Sequence, residues 1–161
     1  MKRAQLIGQV FIYILTIIIF GAIILYGYRA IQKMGSRADE VLRIQLQKDI
    51  SDAIEKIDYG SVTKKELMLP KKFNEICFVD LKRLADDDLE DYYPLVYDSW
   101  SEEAPANMFL IQDVLTVEPY YIGDITIQDE GWICIPSVQG KVAVRLEGKG
   151  KYVELSKWTG N

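Results

Sequence analysis

The side chains most often used for catalysis are sparse in this chain. It contains no histidine, which removes the commonest general base, the usual nucleophilic triads and most zinc or copper sites. Ser99 and Ser101 therefore have no imidazole partner. Lys149, in "EGKG", lacks the Gly-x-x-x-x-Gly-Lys-Ser/Thr frame of a phosphate loop. Asp86, Asp87, Asp88 and Glu90 crowd carboxylates together without a defined acid/base pair, and their spacing lacks the alternation and the glycine of an EF-hand loop. No metal, no cofactor and no enzymatic activity are expected. The surrounding stretch, "ADDDLEDYYPLVYDSWSEEAP", reads as a solvated acidic loop pinned by Tyr92, Tyr93, Tyr97 and Trp100.

Cys77 and Cys134 are the two thiols, too few and too far apart for a zinc knuckle or a CxxC redox pair. They lie in "EICFVD" and "WICIP", apolar runs of strand-like composition. Outside the cytoplasm, a disulfide between neighbouring strands would close a loop of about 58 residues and stabilise the fold by about 4 kcal/mol. In a reducing compartment the same residues would be two buried thiols.

The elements that position these residues begin with an apolar run. Leu6 to Tyr28 carries no charge, and as a helix its 23 residues would span about 35 Å, enough for a hydrocarbon core of about 30 Å. A cleaved secretory signal needs a shorter apolar core and an Ala-x-Ala-like site, but here the run leads into Tyr26, Tyr28 and Arg29. The run is expected to stay on the protein as a single membrane span, its N-terminus cytoplasmic and the C-terminal domain extracytoplasmic; a bare count of basic residues, Lys2 and Arg3 against Arg29, Lys33, Arg37, Arg43 and Lys48, favours the reverse, but that count weakens for a domain of this length, and a short basic tail before an apolar helix is a normal start for an exported chain. Gly8, Gly21, Ala22 and Gly27 give no small-xxx-small pair.

Downstream, "VLRIQLQKDISDAIEKID" places Val41, Leu42, Leu46, Ile50, Ala53, Ile54 and Ile57 at spacings of three and four, one apolar stripe of an amphipathic helix. Tyr59, Gly60 and Ser61 read as its end. A helix continuing from Gln5 to Asp58 would be about 81 Å long, far more than a bilayer needs.

The rest reads as β-structure, with a short helical turn at Lys64 to Leu67. Expected strands are Glu75 to Asp80, Met108 to Gln112, Leu115 to Glu118, Asp124 to Gln128, Trp132 to Ile135, Lys141 to Glu147 and Lys151 to Leu155. Asp129, Glu130 and Gly131 would turn one hairpin, and Gly148, Lys149 and Gly150 another. The fold class is α+β, a long N-terminal helix with a membrane half and an amphipathic half, packed on a mainly antiparallel β-sheet head. Residues 5–36 are expected to form the membrane helix and juxtamembrane segment, 37–60 the amphipathic helix and 61–161 the head.

Charge is as uneven as hydropathy. From Ala38 onward 14 Lys plus Arg stand against 24 Asp plus Glu, a formal charge of −10, which repels nucleic acid and favours cationic partners.

At the start of the chain, Arg3, Ala4, Gln5 and Leu6 place a basic residue, a small residue, Gln and an apolar residue ahead of the retained helix. In that order they resemble the class III signal peptide of archaeal type IV pilin-like proteins. The resemblance implies a cut between Ala4 and Gln5 by a prepilin peptidase-like enzyme, with residues 1–4 as the leader. It also implies that the helix beginning at Gln5 assembles with copies of itself or with related pilin subunits. Gln9 stands where many bacterial pilins carry Glu, and its amide can hydrogen-bond without neutralising a charge. The competing expectation is an uncleaved single-pass membrane protein whose β-rich domain binds a ligand.

Overall fold

The computed structural model describes residues 2–113, 115–128 and 130–159, and of residues 2–9 and 32–38 it describes the backbone alone. The chain divides into two units, residues 1–40 and 41–161. The first helix, α1 (Lys2–Lys56), supplies all of the first unit's regular structure and opens the second.

Within the first unit, Val10–Ile31 is long and apolar enough to cross a membrane, about 33 Å at 1.5 Å per residue, and none of it is buried. Its one charge, Arg29, lies near the end of the span. Thr16 donates its hydroxyl to the Ile12 carbonyl at 2.7 Å, so this polar group is satisfied inside the helix, as a hydrocarbon environment demands. A single apolar span preceding a β-rich domain fits a membrane-anchored protein.

The second unit has two four-stranded sheets. Its strands are β1 (Val62–Met68), β2 (Glu75–Val79), β3 (Met108–Asp113), β4 (Thr116–Tyr120), β5 (Ile125–Thr126), β6 (Trp132–Pro136), β7 (Lys141–Gly148) and β8 (Val153–Lys157). One sheet has the order β1-β7-β8-β5 and the other β4-β3-β2-β6. All pairings are antiparallel except β5 with β8. The α+β class is therefore present, with the head built from two sheets.

Side-chain alternation explains the layers. In β7, Val142, Val144 and Leu146 are buried while Ala143, Arg145 and Glu147 are only partly so, giving one core face and one wet face. In β2 both faces are buried: Ile76 and Phe78 enter the main core, whereas Cys77 and Val79 enter a second core on the opposite side. β3 divides likewise, Met108 and Leu110 against Phe109 and Ile111, which is why both strands read as unbroken apolar runs. Leu46, Ile50 and Ile54 from α1 complete the main core.

Four expectations are corrected. Lys64 to Leu67 is strand, because β1 pairs with β7 over its whole length, from Val62 opposite Glu147 to Met68 opposite Lys141, and Leu67 is buried. The acidic stretch is two helices, α2 (Asp87–Tyr92) and α3 (Pro94–Ser101), not a loop. Asp86 caps α2 by accepting from the Asp88 amide at 3.0 Å, and Asp87, Asp88 and Glu90 put negative charge in the first turn, where the helix dipole favours it. Pro94 opens α3 with a φ already suited to a helix. The hairpin expected between residues 124–128 and 132–135 is absent: β5 joins β8 and β6 joins β2. Ile125 and Ile127 are drawn into the main core, and Gly131, at φ +82°, accepts from the Asp80 amide at 2.8 Å. Asp129 lies outside the described residues. Finally, Val41 is exposed, so the buried stripe of α1 begins later than its apolar spacing suggests.

Candidate functional site

The residues that could anchor or assemble this chain lie along α1. Across Val10–Ile31 the large apolar side chains are all exposed, from Leu15 at 47% to Tyr26 at 82%. An apolar surface of that extent needs lipid or other helices around it. Arg3, Ala4, Gln5, Leu6 and Gln9 fall in the helical backbone of α1, and their side chains lie outside the described residues.

The second unit holds its part of α1 by burial and by charge. Glu118 on β4 accepts from Arg43 Nη1 at 2.8 and 2.9 Å through its two oxygens, from Lys72 at 2.7 Å and from the Tyr120 hydroxyl at 2.9 Å. Burial alone would raise this carboxyl, but the hydrogen bonds from Lys72, Arg43 and Tyr120 outweigh it and hold it at about 2. The Glu118 hydrogen bond raises the Arg43 guanidinium, and burial followed by Glu118 pushes the Tyr120 phenol up. Glu118 is thus a charged centre with three donors, one of which belongs to the amphipathic part of α1. Farther along the helix, Gln47 donates to the Tyr121 carbonyl at 3.1 Å.

Cys77 and Cys134 are directly opposite in the β2–β6 register and are joined as a disulfide. The bridge lies in the second core, among Val79, Phe109, Ile111 and the residues that α2 and α3 bury, Leu89, Val96 and Trp100. Tyr93 donates to Glu75 at 2.5 Å and fixes the junction of the two helices to β2. Burial, with the Glu75 carboxylate second, pushes its phenol well up. The Tyr97 hydroxyl donates to Asp87 across the helix pair at 3.2 Å. Tyr93, Tyr97 and Trp100 therefore pin the acidic stretch, as a packed helical layer over the disulfide, whereas Tyr92, expected to share this role, is 67% exposed.

Among the described residues no group of three or more Asp, Glu or Cys is placed to hold a metal. The carboxylates of α2 serve as cap, dipole partner and hydroxyl acceptor. Sequence reasoning missed the Glu118 cluster altogether. Glu118 is separated by 75 residues from Arg43 and by 46 from Lys72, so no local pattern marks it. Compared with known proteins, the chain matches no family model, no curated protein and no solved structure.

Proposed function

We propose that this chain is a type IV pilin-like or pseudopilin subunit, anchored by α1, with its β-rich domain on the extracytoplasmic side and assembling through the apolar part of the helix. The observation that carries the reading is the division of labour within α1: Val10–Ile31 is apolar and wholly exposed, whereas Leu46, Ile50 and Ile54 are core residues of the β-rich unit. One helix serves both as anchor and as part of the head.

Three further features support the reading. Arg3, Ala4, Gln5 and Leu6 provide the order of residues that a prepilin peptidase-like enzyme reads at the cytoplasmic face. The disulfide suits an oxidising compartment, hence a head outside the cytoplasm. Within the span the large apolar side chains are exposed all round the helix, a surface against which lipid or neighbouring helices can pack.

Mass spectrometry of the protein purified from its native membrane tests the proposal. Gln5 is the expected first residue of the mature chain, and a mature pool beginning at Met1 would overturn the cleaved-subunit reading in favour of an uncleaved single-pass protein.

A further inference from the structure

A groove of about 390 Å³ opens where the end of β6, the start of β7 and the end of β8 meet. Pro136, Val138 and Trp158 give it an apolar wall, and Lys141 and Lys157 bring two ammonium groups to it. Val138 is 71% exposed, while the Trp158 amide donates to the Ala143 carbonyl at 3.2 Å and ties the indole to β7. Glu66, the carboxylate of the lining, is already held by Lys64 at 2.6 Å, and Lys64 also stands 5.7 Å from the centre of the Trp158 ring. Lys141 and Lys157 are different: among the described residues neither enters an ion pair.

The opposite imbalance stands on the helical layer. Residues 86–103 hold eight Asp and Glu and no Lys or Arg. Among the described residues none of these carboxylates pairs with a cation, although Glu66, Glu118, Asp124, Glu147 and Glu154 elsewhere on the head all do. Asp88, Asp91 and Tyr92 stand three and four residues apart on α2 and share one face, and all three are exposed, Tyr92 at 67%. An exposed ring beside two unpaired carboxylates is the complement of an indole beside two unpaired lysines, an apolar centre with matched charge around it.

We propose that the groove beside Trp158 receives the α2 face of a second copy of this chain, with Tyr92 seated against Trp158 and Val138, and Asp88 and Asp91 meeting Lys141 and Lys157. The inference rests on the assembling-subunit reading and adds to it a contact between heads. Groove and α2 face are different surfaces, so the contact is heterologous, and each copy carries both halves and can pass the contact on to the next. Like faces repel, which sets the orientation of one head on another. Both halves lie within residues 41–161.

The full chain with p-benzoylphenylalanine in place of Val138, labelled with nitrogen-15, is mixed with unlabelled full chain in phosphatidylcholine vesicles and irradiated. Mixed isotopes identify crosslinks between copies, and the expected product joins position 138 of one copy to residues 86–103 of the other. Lys141→Glu with Lys157→Glu in the photoreactive copy should lower its yield about fivefold, and Asp88→Lys with Asp91→Lys in the unlabelled copy should restore it. All four positions are exposed, so the urea midpoints should stay those of wild type, and the restoration separates lost charge matching from lost folding. No crosslink from position 138, one to lipid or to another part of the second copy, or a yield indifferent to the charge reversals would overturn the proposal. The same label at Ile18 reports contact between α1 helices: crosslinks there with none from position 138 would refute the contact between heads and leave assembly through α1 standing.

Discussion

Replacing Glu118 by Gln tests the charged tie between α1 and β4. The folded carboxyl titrates at about 2 against an ordinary 4.5, so folding favours its deprotonated form. Its contribution is therefore complete above about pH 4.5 and is lost as the pH falls through about 2. At 1.36 kcal/mol per pH unit the difference corresponds to roughly 3 kcal/mol, and the quarter of the side chain open to water brings the expected loss nearer about 2 kcal/mol. Arg43 and Lys72 are themselves about 27% and 36% exposed, so water can take up their charges when the carboxylate is gone. Gln keeps the shape of the side chain and one acceptor oxygen, and the loss reports the charge.

The assay is urea unfolding of the full chain in detergent, followed by the fluorescence of Trp100, Trp132 and Trp158 at several values between pH 7 and pH 2. Wild type and Glu118→Gln should differ by about 2 kcal/mol at pH 7 and converge as the pH approaches 2. Other carboxylates lose their partners over the same range, Glu66 and Glu147 among them, but they do so equally in both proteins. A difference that does not change with pH, or one below about 0.5 kcal/mol at pH 7, would refute the view that charge at Glu118 holds the helix.

Two other perturbations address the bridge and the leader. Cys134→Ser opens a loop of sequence separation 57 and should cost the head about 4 kcal/mol, read as a fall in the urea midpoint that reductant reproduces in wild type; a midpoint insensitive to both would contradict a stabilising bridge. Ala4→Leu removes the small residue before the proposed cut and should leave an unprocessed chain of higher mass in native membranes, so normal processing of this variant would place the cut elsewhere.

Much of the head was legible from its local patterns. The β7–β8 hairpin announces itself through the alternation of Val142, Val144 and Leu146 and through the glycines of its turn. β2 and β3 are visible as apolar runs. β1 was not, because Lys64, Lys65 and Glu66 favour helix as readily as strand, and Leu67 is the one position of that strand that becomes fully buried. Its conformation is set by the open edge of β7, a partner some 80 positions away. α2 and α3 were hidden for a different reason: their buried residues Leu89, Val96 and Trp100 are divided by Pro94, so neither helix alone shows a full apolar period. The parallel pairing of β5 with β8 leaves no mark in a two-residue strand. The sites followed the same rule. Cys77 and Cys134 advertise themselves by being the two thiols, whereas the Glu118 cluster is assembled from distant segments of ordinary composition.

The two parts of α1 face different burial problems, and this bears directly on what the helix is for. Val10–Ile31 is apolar and unburied among the described residues, a surface that calls for lipid or other helices. Leu46, Ile50 and Ile54 find theirs among Leu67, Val144, Leu146 and Leu155, and without them the main core is open along one side. Losing three buried aliphatic side chains costs at least about 2 kcal/mol each, or about 6 kcal/mol together, against a total stability of about 5–15 kcal/mol for a domain. A fragment of residues 41–161 should therefore fold and unfold cooperatively, while one of residues 61–161 should not, and Ile50→Ala in the longer fragment should cost about 2–5 kcal/mol. Far-ultraviolet circular dichroism with a urea titration separates these cases. If the shorter fragment unfolded with the midpoint of the longer one, α1 would be an anchor appended to a complete β-domain. The economy of using one helix for both membrane and head, on which the pilin-like reading depends, would then be lost.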